Sequence, residues 1–353
     1  MPLTRRFGVE EEYVLLDDAA LVPVSAATLH GRVARDADGR GRISREFLTC
    51  QVETATDPVS TLVEAREQLR TLRRSLADHA PDGTVVAATG APFALAGAQQ
   101  ISPDPHYDDV MHLIGRLTAD HEVNGLHVHV EVTDDEERVR ALRRVREWLP
   151  ALLALSVNSP FVHGMPSGLA SWRTTLVGRM PVSECPPAFH DADDYHRTLD
   201  RHVRAGALPS RASVSWPVRL SEHYATVETR VADAQLLVDD SLLLTALIRG
   251  IVCATELHVE GTRHDLLDAG LWLAARHGMR ARLFAPDGGE EDAWSAVQRM
   301  LGSIRPVLDE LGDTAFVDEH LGRIRAEGTG AERQLAAHAS QGAEGLAQLY
   351  RRW

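Results

Sequence analysis

Two periods divide the chain. Up to about residue 235, short runs alternate polar and apolar positions with the period of two that strands require; from Asp239 onward the apolar positions recur at helical spacing. Phe7 to Leu16 opens the series as a strand, with β-branched and aromatic side chains in its second half and Asp17-Asp18 closing it. Alternation puts Glu10 and Glu12 on one face and Val9, Glu11 and Tyr13 on the other. Arg45 to Thr54 reads as a second strand. Glu46 and Glu53 are separated by an odd number of positions, so they share a site only through a bulge, or if Glu46 sits on the loop before the strand. Thr84 to Thr89 is a short run of small and apolar residues, the pattern of a buried strand. Gly125 to Val132 alternates most cleanly, with Leu126, Val128, Val130 and Val132 one way and His127, His129 and Glu131 the other. In a strand from Tyr224 to Asp233, Thr226, Glu228 and Arg230 share a face.

Between the strands the pattern predicts helices over Ser60–His79, with Thr61 and Glu64 as a capping box, over His106–Glu122, and over Asp191–Ala205. Another starts at a Thr133/Glu136 capping box and runs to Val157 with a kink at Pro150. The glycine- and serine-bearing stretch from Asn158 to Arg173 reads as a loop over a site. Helical patterns follow near 241–260, 262–277, 290–311 and 331–350. They carry no motif and read as packing around the sheet. Residues 1–353 are therefore expected to form one catalytic domain, with sheet and motifs mostly in 7–235 and helices in 239–353.

Composition narrows the function. With 353 residues, 44% hydrophobic and 25% charged, the chain is an ordinary globular protein. A net charge of −14 excludes an extended nucleic-acid surface but leaves room for a small anion held by arginines and a metal. There is no lysine, so all 37 basic residues are arginine; P-loop lysine and Schiff-base chemistry are excluded, and any permanently cationic phosphate contact is a guanidinium. Three scattered cysteines without a C-x-x-C fit a reducing cytoplasm. No apolar leader and no membrane-spanning run is read, so neither membrane nor nucleic acid is an expected partner.

Two carboxylates side by side on a sheet repel unless a cation lies between them, and oxygen-rich clusters favour Mg²⁺ or Mn²⁺. The simpler alternative is a solvated edge strand. A strand histidine can equally be a hydrogen-bonded structural residue, and Glu228 with Arg230 a surface ion pair. If the polar faces converge, however, the result is a multi-metal centre with an arginine-held anion, the recurring kit of phosphoryl transfer.

Gly8-Val9-Glu10-Glu11-Glu12, Gly125-Leu126-His127-Val128-His129-Val130, Asn158-Ser159-Pro160-Phe161, Ala170-Ser171-Trp172-Arg173 and Thr226-Val227-Glu228-Thr229-Arg230-Val231-Ala232-Asp233 resemble, in order, the motifs of the carboxylate–amine ligases. These form the type-2 glutamate–cysteine ligase family, distantly similar to glutamine synthetase. The resemblance implies an α+β fold in which a curved, mainly antiparallel sheet forms a funnel with helices outside. It implies ATP-dependent activation of a carboxylate, in the best-known members the γ-carboxylate of glutamate, as an acyl phosphate, and its coupling to an amine with release of ADP and phosphate: an acid–amino-acid ligase. By position in the motifs, Glu10, Glu12, Glu46, Glu53, His127 and Glu228 would hold two or three Mg²⁺ or Mn²⁺ ions. Glu53, Glu228 and Arg230 would be catalytic, with Arg230 on the γ-phosphate and Glu10 also facing the nucleotide. Arg173 and Arg219 are candidates for the amino-acid carboxylate, and His129 serves substrate or supports the ligand histidine. The acceptor is open: cysteine, another amino acid or a small amine. A homodimer or larger homo-oligomer is compatible with the family. Two other readings stay open, a metal-dependent hydrolase and a non-catalytic nucleotide-binding homologue.

Overall fold

Strand β1 (Phe7–Asp17) runs through the middle of the sheet and organises it. In the computed structural model, which describes residues 5–33, 42–95, 97, 100–103, 111–115, 117, 121–257 and 261–352, β1 pairs antiparallel with three strands. These are β3 (Gln51–Ala55), β4 (Thr84–Ala87) and β5 (Gly125–Glu131). Beyond β3 lies β2 (Arg42–Arg45); beyond β5 lie β9 (Thr226–Asp233) and β8 (Val218–Leu220), giving the order β2-β3-β1-β5-β9-β8 with β4 on β1, while β6 (Phe161–Val162) and β7 (Met165–Pro166) pair with one another apart from this sheet. Every strand pairing in this sheet is antiparallel, as the family resemblance implied.

The apolar face of β5 (Leu126, Val128, Val130) joins Phe7, Val9 and Val227 in one core with helices α3 (Asp135–Arg146), α4 (Leu149–Ser156) and α7 (Val238–Cys253). Helix α7 is apolar around most of its girth and is buried accordingly. Each of its fully buried leucines and isoleucines contributes roughly 1.5–3 kcal/mol relative to exposure. The same core continues into α8 (His264–His277), α9 (Ala293–Leu311) and α10 (Thr314–Glu327), which pack on α4 and α7 rather than directly on the sheet.

Several local expectations hold. Thr61 and Glu64 close a reciprocal capping box at the start of the Leu62–His79 helix, and Asp191 caps the helix Ala192–Arg204. Others shift. The expected strand over 45–54 is a hairpin, with Glu46 in the connection between β2 and β3. The helix after β5 is capped by Asp134 rather than Thr133, because the aspartate one residue on accepts the Glu137 N–H. Pro150 does not kink that helix: Arg146 ends it, and the proline takes the first turn of α4, where its missing N–H costs nothing. The helix expected over 106–122 falls largely outside the described residues; 111–114 are helical and 121–124 are not. Helices Ala27–Val33 and Thr314–Glu327, and the hairpin Arg282–Phe284 with Glu290–Asp292, were not anticipated.

Candidate active site

Residues directly opposite one another on antiparallel strands project to the same face. The register sets Glu10 opposite His127, Glu12 opposite Glu53, Ser44 opposite Glu53, His129 opposite Glu228 and Arg219 opposite Glu228. Five strands thus place their charged and imidazole side chains on one concave face by pairing alone. A register shift between β5 and β9 at Leu126/Val128 brings Arg230 alongside, its Nη1 3.3 Å from His127 Nδ1. Glu46 reaches the cluster from the β2–β3 turn, the second of the two routes open to it.

The ligand atoms fall into two groups, Glu10/Glu53/His127 and Glu12/Glu46/Glu53; within each group they lie within 4.8 Å of one another, and Glu53 belongs to both. The surroundings do not neutralise these carboxylates. Burial pushes Glu46 up to about 8, with Glu12 adding repulsion. Burial, and then the charges of Glu46, Glu10 and Glu12, raise Glu53 well above the ordinary range. Glu10 differs: burial opposes its charge, but the His127 and His129 imidazoles, each 3.4 Å away, hold its carboxyl well below the usual range. Burial, with Arg230 adding to it, lowers His127, so its imidazole is neutral and available as a ligand. His127 Nε2 and His129 Nε2 are buried without a hydrogen bond. Crowded carboxylates forced toward protonation, next to the neutral imidazole of His127 and two imidazole nitrogens without hydrogen bonds, fit hard divalent cations with one histidine in the set.

Glu228 is in neither group. Arg219 grips it through Nε and Nη2 at 2.8 and 3.0 Å, and Arg230 through Nη1. Burial works against its charge, but the two guanidinia prevail and hold it well below the ordinary range. Arg219 spends further donors on the carbonyls of Ala212 and Val214. Arg173 is buried, donates to the backbone carbonyls of Arg230 and Val231, and has an Nε–H without a partner.

The stretch expected to cover the site does something else. Asn158 and Ser159 are buried; Asp233, at the end of β9, accepts the Asn158 N–H at 2.7 Å, the Ser159 hydroxyl at 2.7 Å and the Ser171 hydroxyl at 2.9 Å. The segment is anchored at its root, and Ser171 caps α5 (Trp172–Val177), which presents Arg173. The part that lines the cavity is 173–184, so the covering role does not belong to 158–171. Asp233 had no assigned role in the sequence reading; its signal was its place at the close of the last motif strand. Gly125 is a second omission. Its N–H donates to Glu12 Oε2 at 2.5 Å, and a Cβ there would lie 2.6 Å from Arg173 Nη2.

A cavity of about 830 Å³ collects this chemistry, and every site residue singled out from the sequence lines it. The fold is that of the glutamate–cysteine ligases. It superposes on a Francisella tularensis glutamate–cysteine ligase solved in complex with AMP with a TM-score of 0.74, at 12% identity over 99% of this chain and 88% of that one. It superposes on a bifunctional glutathione synthetase from Pasteurella multocida with a TM-score of 0.73, at 16% identity over 99% of this chain and 52% of the other. The chain belongs to glutamate–cysteine ligase family 2, whose model matches residues 6–352. A Saccharopolyspora erythraea protein, provisionally named glutamate–cysteine ligase 2-1, is 38% identical over 93% of this chain and 88% of its own length. Membership supports an ATP-dependent ligase that forms C–N bonds between small molecules with the help of divalent metal. Among the described residues no helix is long and apolar enough to cross a membrane.

Proposed function

We propose that the chain is a γ-glutamyl ligase that activates the γ-carboxylate of glutamate with ATP and couples it to an amine. The observation that carries this reading is the shared Glu53: two groups of ligand atoms meet at one carboxylate, with Arg230 alongside. Such paired sites beside a guanidinium suit charge that develops on a phosphoryl group in flight.

Glu10, Glu53 and His127 would hold one Mg²⁺ or Mn²⁺, and Glu12, Glu46 and Glu53 another. Such ions would supply positive charge to offset that of the triphosphate. A γ-carboxylate oxygen of glutamate forms a bond to the γ-phosphorus as the bond to ADP breaks, and ADP leaves with the electron pair. The amine nitrogen then bonds to the acyl carbon, phosphate departs with the C–O pair, and the nitrogen gives up a proton. Arg230, held beside His127 by its pairing with Glu228, donates to the phosphoryl oxygens as their charge grows. Arg173, with an unused Nε–H, takes the α-carboxylate of glutamate, whereas the donors of Arg219 are spent on Glu228 and two carbonyls. Glu228, paired with Arg219 and Arg230, would be the remaining carboxylate available to hold a third ion.

ADP release with Mg²⁺, ATP and glutamate, measured across a panel of amines and with hydroxylamine as a trap, tests this. Strict ATP dependence and a trapped γ-glutamyl hydroxamate support it. Turnover without ATP would establish a hydrolase instead.

A further inference from the structure

The cavity has a wall that the phosphoryl chemistry does not use. Segment 171–185 closes against helix α8 there. The N–H groups of Ala170 and Ser171 donate to Ala275 O at 2.8 and 2.9 Å, and the Cys185 N–H donates to Asp268 Oδ1 at 2.9 Å. Val177, Met180, Leu271 and Trp272 give this wall an apolar surface. Trp272 is 58% exposed, far more than a tryptophan of this size is left uncovered without use. Glu184 and Asp268 supply negative charge beside it. Glu184 has no ion pair or hydrogen bond among the described residues, while Asp268 also lies 3.2 Å from His264.

The arginines decide what this wall can accept. Among the described residues, Arg173, Arg219 and Arg230 are the basic side chains lining the cavity besides histidines. Arg219 is committed to Glu228 and backbone carbonyls, Arg230 to Glu228 and the phosphoryl group, and Arg173 to the first substrate. Of these three lining arginines none remains for a carboxylate on the acceptor. An α-amino acid would bring that carboxylate toward Glu184 and Asp268, where like charges repel. An amine lacking a carboxylate brings only a cation and an apolar body, which an aromatic face and two acidic groups complement.

Resting on the γ-glutamyl ligase reading, we propose that the acceptor is a small apolar or aromatic amine without a carboxylate, seated on Trp272 with its nitrogen facing Glu184 and Asp268. Phenethylamine and phenylalanine differ by the carboxylate alone and make a matched pair. The wild-type enzyme is first given Mg²⁺, ATP, glutamate and hydroxylamine, a nucleophile too small to need the wall; it is then assayed with phenethylamine, phenylalanine and cysteine. The expected kcat/KM for phenethylamine exceeds that for either amino acid by about tenfold or more. Trp272→Ala raises the phenethylamine KM by about tenfold with a smaller change in kcat, and Glu184→Gln narrows the gap between phenethylamine and phenylalanine. Hydroxamate formation with the amino acids coupling as well as the amine, or with no carboxylate-free amine coupling, overturns the acceptor assignment and leaves the ligase intact. Absence of hydroxamate overturns both.

Discussion

Three consecutive glutamates on β1 meet opposite fates. Glu11 points to the back of the sheet, where Arg73 binds it through Nε at 3.0 Å and Nη2 at 2.5 Å, and the hydroxyls of Tyr13 and Ser241 donate to it at 2.5 Å. Arg73 in turn donates to the carbonyls of Gln235 and Leu236 beyond β9. On the front, Glu12 faces Glu53 and Glu46, and among the described residues no guanidinium is hydrogen-bonded or ion-paired to any of the three, Arg230 acting on them only from a distance. The same side chain on the same strand is a finished structural joint on one face and an open demand for cations on the other. The lesson is that burial of charge does not mark a functional site; burial without a matching partner does.

The largest effect belongs to Arg230, the guanidinium that the front face keeps beside both His127 and Glu228. Arg230→Ala is expected to cut turnover by about 10³-fold or more, the scale at which a guanidinium stabilises a phosphoryl transition state. Nucleotide affinity, measured by calorimetry, should fall far less. Equal losses in both would mean that Arg230 merely binds ATP.

The back face answers to stability. Arg73→Met leaves Glu11 buried without its charge partner and is expected to cost about 3–5 kcal/mol in denaturant unfolding. Adding Glu11→Gln should recover part of that, because it removes the stranded charge. A front-face substitution should do the reverse. Glu53→Gln relieves repulsion among Glu10, Glu12 and Glu46, so the metal-free protein should gain about 1 kcal/mol while ligase activity is lost. Destabilisation by Glu53→Gln in the absence of metal would erase the contrast between the faces.

How much of this was legible follows from range. The front and back of β1 and of β5 came from a period of two, a local property, and the ordered motifs led to the fold. The pairing that sets Glu12 against Glu53 depends on how the β2–β3 hairpin turns, and the turn around Glu46 also decides which side that carboxylate takes. The Arg219 grip on Glu228 comes from β8, a three-residue strand too short to show alternation. Asp233 draws in Ser159 and Ser171 from far along the chain, so a stretch that looks like a loose cover locally is fastened in fact. The Thr133/Asp134 cap slipped by one position because adjacent residues can both cap, and Asp134 is the one that accepts the Glu137 N–H.

The smallest effect is a pH dependence, and its sign follows from the front face alone. Glu46 and Glu53 have folded pKa values raised above their unfolded ones, Glu46 to about 8. Their contribution to stability is therefore complete below the ordinary carboxylate value and is lost as pH rises toward 8, because the fold then holds charges it cannot pair. Divalent ions must displace those protons and then remove the repulsion. The increase in Tm on adding Mg²⁺ should accordingly grow from pH 6 to pH 8.5, by a few degrees, and Mg²⁺ binding near neutral pH should release protons, visible as a buffer-dependent heat in calorimetry. Glu46→Gln should flatten the trend, whereas Glu11→Gln, behind the same strand, should leave its slope in place. A Mg²⁺ shift that is constant with pH would show that the front carboxylates are already ionised and paired, and the distinction between the two faces would then rest on geometry rather than on charge.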